Sequence, residues 1–176
     1  DINPETLNVD ADDLISKINK KTKVIMLVNV LGISSNNKKI INHTRKKNII
    51  VIEDNCEGLG AKLNNKHLGT YGDFGTYSFF YSHQITAGEG GMVVCHNKYD
   101  YEILVALRSH GWSRSNMMSQ YVSNAKKYPK LDPRYIFINQ GFNLRPTDIQ
   151  AGIGLNQFKR LNQFKKTRSD NRNKIV

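Results

Sequence analysis

Apolar residues change their period several times along this chain, and each change marks an element. Residues 23–31, Lys-Val-Ile-Met-Leu-Val-Asn-Val-Leu, form a near-continuous β-branched run of the kind found in strands buried on both faces. Ahead of it, residues 10–19 set Leu14, Ile15 and Ile18 on one face behind a capping Asp10, which predicts a short amphipathic helix. Gly32 ends the apolar run. Residues 36–47 then carry Ile40 and Ile41 ahead of Arg45, Lys46 and Lys47, a basic end suited to a helix C-terminus. A second apolar run, Ile49-Ile-Val-Ile-Glu-Asp54, follows. Strand, helix and strand at this spacing make a βαβ crossover, so the two strands are expected to be parallel.

Residues 62–73 read as a surface hairpin turning at Asn64-Asn65. Residues 74–80 predict a third strand, and 90–95 a return strand after a polar turn and the Gly-rich bend Gly88-Glu-Gly-Gly91. A helix is predicted over 98–108, with Ile103, Leu104, Ala106 and Leu107 inward. The pattern weakens over 109–135, where an insertion or lid would sit, and a brief strand is predicted over 135–139. Pro146 and Asp148 open a long helix whose buried stripe would be Ile149, Ile153, Phe158 and Leu161. The fold class expected is α/β, with a mostly parallel sheet and helices on both faces. The length, 176 residues, suggests one domain.

Charge alters this picture little. The formal net charge of +11 comes from Lys and Arg scattered over the polar faces of helical patterns, which argues for solvated surface rather than a nucleic-acid footprint. It would still attract small anions. Cys56 and Cys95 match neither a metal motif nor a disulfide framework, and both read as buried thiols, so no metal is expected. No apolar run is long enough to span a bilayer, and a reducing cytoplasm fits best.

Candidate chemistry lies on three separated elements. Glu53 and Asp54 end a buried strand, where open α/β sheets meet their ligands. Ser78 and His83 lie on the strand and turn of 76–91, and Asn143 stands just ahead of a helix. A buried acid can hold a protonated ring nitrogen, a hydroxyl and an amide can bind phosphate, and a histidine can move protons near neutral pH. His43 and His67 read as solvated and His96 as bordering a strand. His110, Trp112 and Arg145 are candidates for a substrate site; the structural reading is the stronger one for His110 and Trp112, while Arg145 reads equally as a helix-terminus or subunit-interface charge.

Four stretches in order, Val51-Ile-Glu-Asp-Asn-Cys-Glu-Gly-Leu-Gly-Ala61, Gly72-Asp-Phe-Gly-Thr-Tyr-Ser-Phe-Phe80, Gly88-Glu-Gly-Gly-Met-Val93 and Gly141-Phe-Asn-Leu-Arg-Pro-Thr-Asp-Ile-Gln-Ala-Gly-Ile-Gly-Leu155, closely resemble the DegT/DnrJ family. Its members are fold-type I, vitamin B6-dependent enzymes of nucleotide-sugar metabolism. The resemblance implies that this chain is part of the large, cofactor-binding domain, residues 1–176, with the N-terminal part of that domain and the C-terminal small domain absent. It implies pyridoxal or pyridoxamine 5'-phosphate as cofactor. Asp54 would partner the pyridine nitrogen, while Ser78 and Asn143 would bind the phosphate, Asn143 reaching the site of a neighbouring subunit in a homodimer. Glu57 would lie beside the ring, where aminotransferases of the family carry an amide or imidazole.

His83 is the departure that matters. It stands where the family's aminotransferases place the lysine that binds the cofactor covalently, and 76–91 contains no lysine. A histidine there resembles the family's dehydratase branch, in which the pyridoxamine form is held noncovalently and the histidine acts as base while the sugar's 3-hydroxyl leaves as water. The implied substrate is a nucleotide-linked 4-keto-6-deoxy sugar, with glutamate as amino donor, in dideoxysugar and lipopolysaccharide biosynthesis. CDP-linked relatives carry an iron–sulfur cluster on four cysteines; nothing after Cys95 could supply them, so GDP is favoured over CDP. The alternatives are a DegT-family sugar aminotransferase homologue and a catalytically inactive binding or regulatory relative.

Overall fold

The computed structural model describes residues 1–112, 126–132 and 135–175. The chain divides into two compact units, Asp1–Val94 with Thr147–Val176, and Cys95–Pro146.

In the first unit, helix α1 (Ala11–Lys17) starts at Asp10, whose side chain accepts from the backbone N–H groups of Asp12 and Asp13 at 2.9 and 2.8 Å. Strand β1 (Val24–Val28) runs into a single tight turn at Val30–Gly32. Helix α2 (Asn37–Arg45) then crosses to β2 (Ile50–Asp54), and the two strands pair in parallel from Val24↔Ile50 to Val28↔Asp54. The hairpin β3 (Lys62–Leu63) and β4 (Lys66–His67) turns at Asn64 and Asn65, both with φ positive, a backbone that asparagine tolerates. Strand β5 (Phe74–Ser78) pairs in parallel with β2, and β6 (Gly91–Cys95) completes the sheet in the order β1-β2-β5-β6.

Alternation along the strands gives this sheet two unlike faces. Leu27 and Val51 join Ile40 and Ile41 of α2, Leu68 and Tyr71 in one buried core, edged by Leu14, Ile25 and Leu63. Val24, Met26, Val28 and Ile50 point to the other face, where Met26 is 58% exposed. The expectation of strands buried on both faces therefore fails for this chain: α1 and α2 cover one face, and the other is open among the described residues.

Near the C-terminus, α4 (Asp148–Lys159) begins with a reciprocal capping box between Thr147 and Gln150. The single long helix expected here is broken at Arg160, and α5 (Leu161–Ile175) follows. The predicted stripe is not buried: Ile149 is 77% exposed and Phe158 59%. These positions recur at helical spacing, but no residue of the helix is buried among the described residues.

The second unit contains α3 (Lys98–Leu107), capped by Asn97, whose side chain accepts from Asp100 N at 2.9 Å. Residues 135–139 do not form the expected strand. Tyr135 N donates to Asp132 O at 3.0 Å, and among the described residues Phe137 makes an isolated antiparallel bridge with Trp112 in place of a strand. Most of the supposed insertion over 109–135 lies outside the described residues.

Candidate active site

Asp54 closes β2 on the open face of the sheet, opposite Thr76 of β5. Its Oδ1 accepts two hydrogen bonds, from Cys56 N at 3.1 Å and from Thr76 Oγ1 at 3.3 Å. The Cys56 thiol lies 3.9 Å from the same threonine hydroxyl. Burial first, and then the neighbouring Asp54 carboxylate, push that thiol above its ordinary range. Sequence reasoning missed Thr76: only the register of β5 against β2 brings it to Asp54. Both cysteines, expected as buried thiols, are half-buried.

Glu57 follows on the turn after β2. Its carboxylate accepts from Leu31 N at 2.8 Å, and Leu31 is held at a φ of 54° in the turn after β1. Gln84 donates through Nε2 to the Glu57 carbonyl oxygen. The loops after β1, β2 and β5 are thereby tied to one another through Glu57, a linkage with no signature in the linear sequence.

Ser78 lies two residues beyond Thr76 and so shares its face of β5. Its Oγ accepts from Phe80 N at 3.1 Å, which leaves the hydroxyl proton to be donated elsewhere. The chain then leaves the strand: His83 N donates to Phe80 O at 3.1 Å, and Phe79 N reaches Gly90 O at 2.8 Å. The imidazole of His83 meets the Phe80 ring edge-on at 5.6 Å, and its Nδ1 is buried without a hydrogen-bond partner among the described residues. An unpaired buried nitrogen is costly and uncommon, which fits a site completed by a bound group. His43 differs from its solvated reading, since its Nε2 is likewise buried and unpartnered among the described residues.

The remaining candidates belong to the second unit. The chain after α3 pairs with the stretch that carries Asn143: His110 N donates to Phe142 O at 2.8 Å, Phe142 N to Leu107 O at 2.6 Å and Leu144 N to Arg108 O at 2.9 Å. Ser109 and Asn143 are bridge partners, so Asn143 lies beside His110 with its side chain exposed. Gly111 has a φ of +80°, and a Cβ there would lie 1.7 Å from Asn139 O, so only glycine fits this ladder. Trp112 stacks on Phe137 with centroids 6.2 Å apart. Arg145 is exposed. The structure thus groups Asp54, Glu57, Ser78 and His83 in one unit, and His110, Trp112, Asn143 and Arg145 in the other.

The profile of the DegT/DnrJ/EryC1/StrS aminotransferase family matches residues 1–175. The chain belongs to this family. It is 40% identical over 171 residues to the GDP-4-keto-6-deoxy-D-mannose 3-dehydratase of Yersinia pseudotuberculosis, covering 97% of this chain and 44% of that protein. A GDP-perosamine synthase of Caulobacter vibrioides is 36% identical over 165 residues, 93% of this chain and 39% of that protein. Among solved structures, Escherichia coli GDP-4-keto-6-deoxy-D-mannose-3-dehydratase with bound hydrated PLP superposes with a TM-score of 0.82 at 35% identity, over 98% of this chain and 44% of that one. The chain thus spans less than half the length of these relatives. Family membership accounts for the α/β fold with its parallel strands β1, β2 and β5.

The donor set fits a pyridoxamine or pyridoxal phosphate. Asp54 has one oxygen anchored by Cys56 N and Thr76, and no hydrogen bond to Oδ2 occurs among the described residues, leaving that oxygen for a ring N–H. Ser78 has a proton to give a phosphate, and His83 brings an unpaired ring nitrogen.

Proposed function

We propose that this chain supplies the core of a pyridoxamine phosphate-dependent sugar-nucleotide 3-dehydratase, a lyase acting on a GDP-linked 4-keto-6-deoxyhexose. One observation carries the reading: His83, with its buried unpaired Nδ1, stands where the family's aminotransferases have lysine, and 76–91 offers no lysine in its place. The likeness to two GDP-4-keto-6-deoxy-D-mannose 3-dehydratases, at 40% and 39% identity, supports the substrate class and the preference for GDP. A solved relative with a trapped PLP-glutamate geminal diamine supports glutamate as amino donor.

When bound, the cofactor supplies a primary amine for the sugar's keto carbon and an electron-withdrawing ring. This chain's residues do the rest. Asp54 would accept from the pyridine N–H and keep the ring protonated. Ser78 would donate to the phosphate, and Asn143 would do so from the neighbouring subunit. His83 would take a proton at the carbon that bears the cofactor's amine and return it to the sugar's 3-hydroxyl, which would leave as water, an imidazole being suited to proton movement in both directions near neutral pH. Glu57 steadies the loops around the ring through Leu31 and Gln84. His110, Trp112 and Arg145 are assigned to the nucleotide sugar.

The apolar surface of α4, with Ile149, Leu155 and Phe158 exposed, supports a homodimer in which a second copy covers it. Among the described residues no helix is long and apolar enough to cross a membrane, and we assign the enzyme to the cytoplasm, in dideoxysugar and lipopolysaccharide biosynthesis.

The test is incubation of the holoenzyme with glutamate and GDP-4-keto-6-deoxymannose, with products read by mass spectrometry. A 3-deoxy product is expected from wild type and none from His83→Asn. A 4-amino sugar as the main product, or undiminished dehydration by His83→Lys, overturns the reading.

A further inference from the structure

The strongest buried feature of the first unit is a carboxylate that the proposed chemistry does not use. Glu53 is 0% exposed and faces away from Asp54, into the covered side of the sheet. It accepts five hydrogen bonds. Oε2 takes Asn29 Nδ2 at 3.2 Å, Asn37 Nδ2 at 2.7 Å and Gly69 N at 3.0 Å, while Oε1 takes Tyr71 N at 2.5 Å and Gly72 N at 2.6 Å. These donors lie on three segments: the residue after β1, the first residue of α2 and the loop leading to β5. A buried carboxylate is tolerable only when fully hydrogen-bonded, and this one is bonded on both oxygens.

We propose that Glu53 is a positioning residue that pins the register of β5 against β2 and so aims Thr76 at Asp54. Glu53 is the register partner of Gly75, and Asp54 that of Thr76. By drawing Gly69, Tyr71 and Gly72 onto its own carboxylate, Glu53 folds the loop back over Gly75, where a Cβ would lie 1.8 Å from Gly69 O. The next residue on the open face is Thr76, which holds Asp54 Oδ1. A slip of one residue would turn Thr76 and Ser78 to the opposite face and leave Asp54 with only its bond from Cys56 N. Burial, and after it the neighbouring Glu53, push the Tyr71 and Tyr77 hydroxyls above their ordinary range.

A glutamine at this position cannot replace the glutamate. It has the same shape, but its NH2 group would face N–H donors and leave them without an acceptor. This inference rests on the cofactor assignment made above, and its test does not depend on turnover. The holoenzymes of wild type, Glu53→Gln and Asn37→Ser are compared by cofactor dissociation constant, by the absorbance spectrum of bound cofactor and by hydrogen exchange at Gly69, Tyr71 and Gly72. For Glu53→Gln, cofactor binding should weaken by about tenfold or more, with faster exchange at those three amides and an altered bound spectrum. Asn37→Ser removes one of the five donors to Glu53, together with the Asn37 side-chain bonds to Asn29, Ser34 and Ser35, and should shift the same quantities in the same direction, less far; it decides the matter if Glu53→Gln does not accumulate as folded protein. Wild-type affinity, spectrum and loop exchange in the folded variants overturn the proposal. A wild type that binds cofactor but eliminates no water overturns the dehydratase reading alone.

Discussion

Thr76 Oγ1 donates to Asp54 Oδ1 at 3.3 Å, across the parallel register that makes these two residues direct partners on β5 and β2. The bond fixes one carboxylate oxygen, and no hydrogen bond to the other occurs among the described residues. Thr76→Val keeps the shape and removes the hydroxyl, so Asp54 should lose orientation without loss of packing. A hydrogen bond to a charged group contributes about 1.5–3 kcal/mol, which corresponds to a fall of about tenfold to a hundredfold in kcat/KM. Thr76→Ser should recover most of it. Steady-state kinetics on the three proteins checks this, and a Thr76→Val enzyme as active as wild type excludes the role.

Cys56 provides a titration readout beside Asp54. Its thiol is pushed up mainly by burial and then by the Asp54 carboxylate, so at a given pH it holds less reactive thiolate than an ordinary cysteine. Alkylation followed by mass spectrometry should show Cys56 reacting slowly near neutral pH, with its rate rising only in the alkaline range. Asp54→Asn removes the charge but not the burial, so it should move that rise toward lower pH without abolishing the upward displacement. An unchanged profile in Asp54→Asn would show that the carboxylate has no influence there.

Much of this architecture is legible in the sequence, because its signals are local. The β-branched runs around Leu27 and Val51, the capping Asp10 and the paired asparagines at 64 and 65 each specify geometry within a few residues. The dipeptide Glu53-Asp54 marks the site as well, and the resemblance names Asp54, but the two residues by themselves do not say which acid lies on the open face of the sheet. That follows from strand alternation combined with the placement of α2 on one face, which is a tertiary fact. Thr76 and Gln84 escape notice for the same reason: their partners Asp54 and Glu57 are 22 and 27 residues away. The stripe of α4 misleads in the other direction, since apolar spacing reports a face that can be covered and not whether this chain covers it.

Gly75 tests the close approach behind the site. A Cβ there would stand 1.8 Å from Gly69 O and 2.6 Å from Gly69 C, both backbone atoms that no side-chain rotation can relieve. Overpacking normally costs about 1–3 kcal/mol, and a rigid backbone contact puts Gly75→Ala at or above the upper end. The urea midpoint should fall accordingly with an unchanged slope. Gly152→Ala is the control, because nothing lies within 4 Å of its added Cβ; on helical propensity alone it should be neutral or slightly stabilising. Equal midpoints for the two variants would contradict the packing described.

The assignment of Asn143 to a neighbouring subunit's phosphate can be decided by mixing two defective proteins. Asn143 is exposed and set by the ladder between 107–111 and 138–144, whereas His83 belongs to the other unit of the chain. Asn143→Ala should weaken cofactor binding in a homodimer, and His83→Asn should abolish dehydration. If each site takes His83 from one subunit and Asn143 from the other, a mixed dimer contains one wild-type site and one doubly defective site. Random reassociation makes about half of the dimers mixed, so about a quarter of the wild-type rate should return. If Asn143 serves its own subunit, both sites of the mixed dimer stay defective and mixing restores nothing. The rate measured after co-refolding equal amounts of the two variants separates these arrangements, and the absence of recovery would place Asn143 in its own subunit's site.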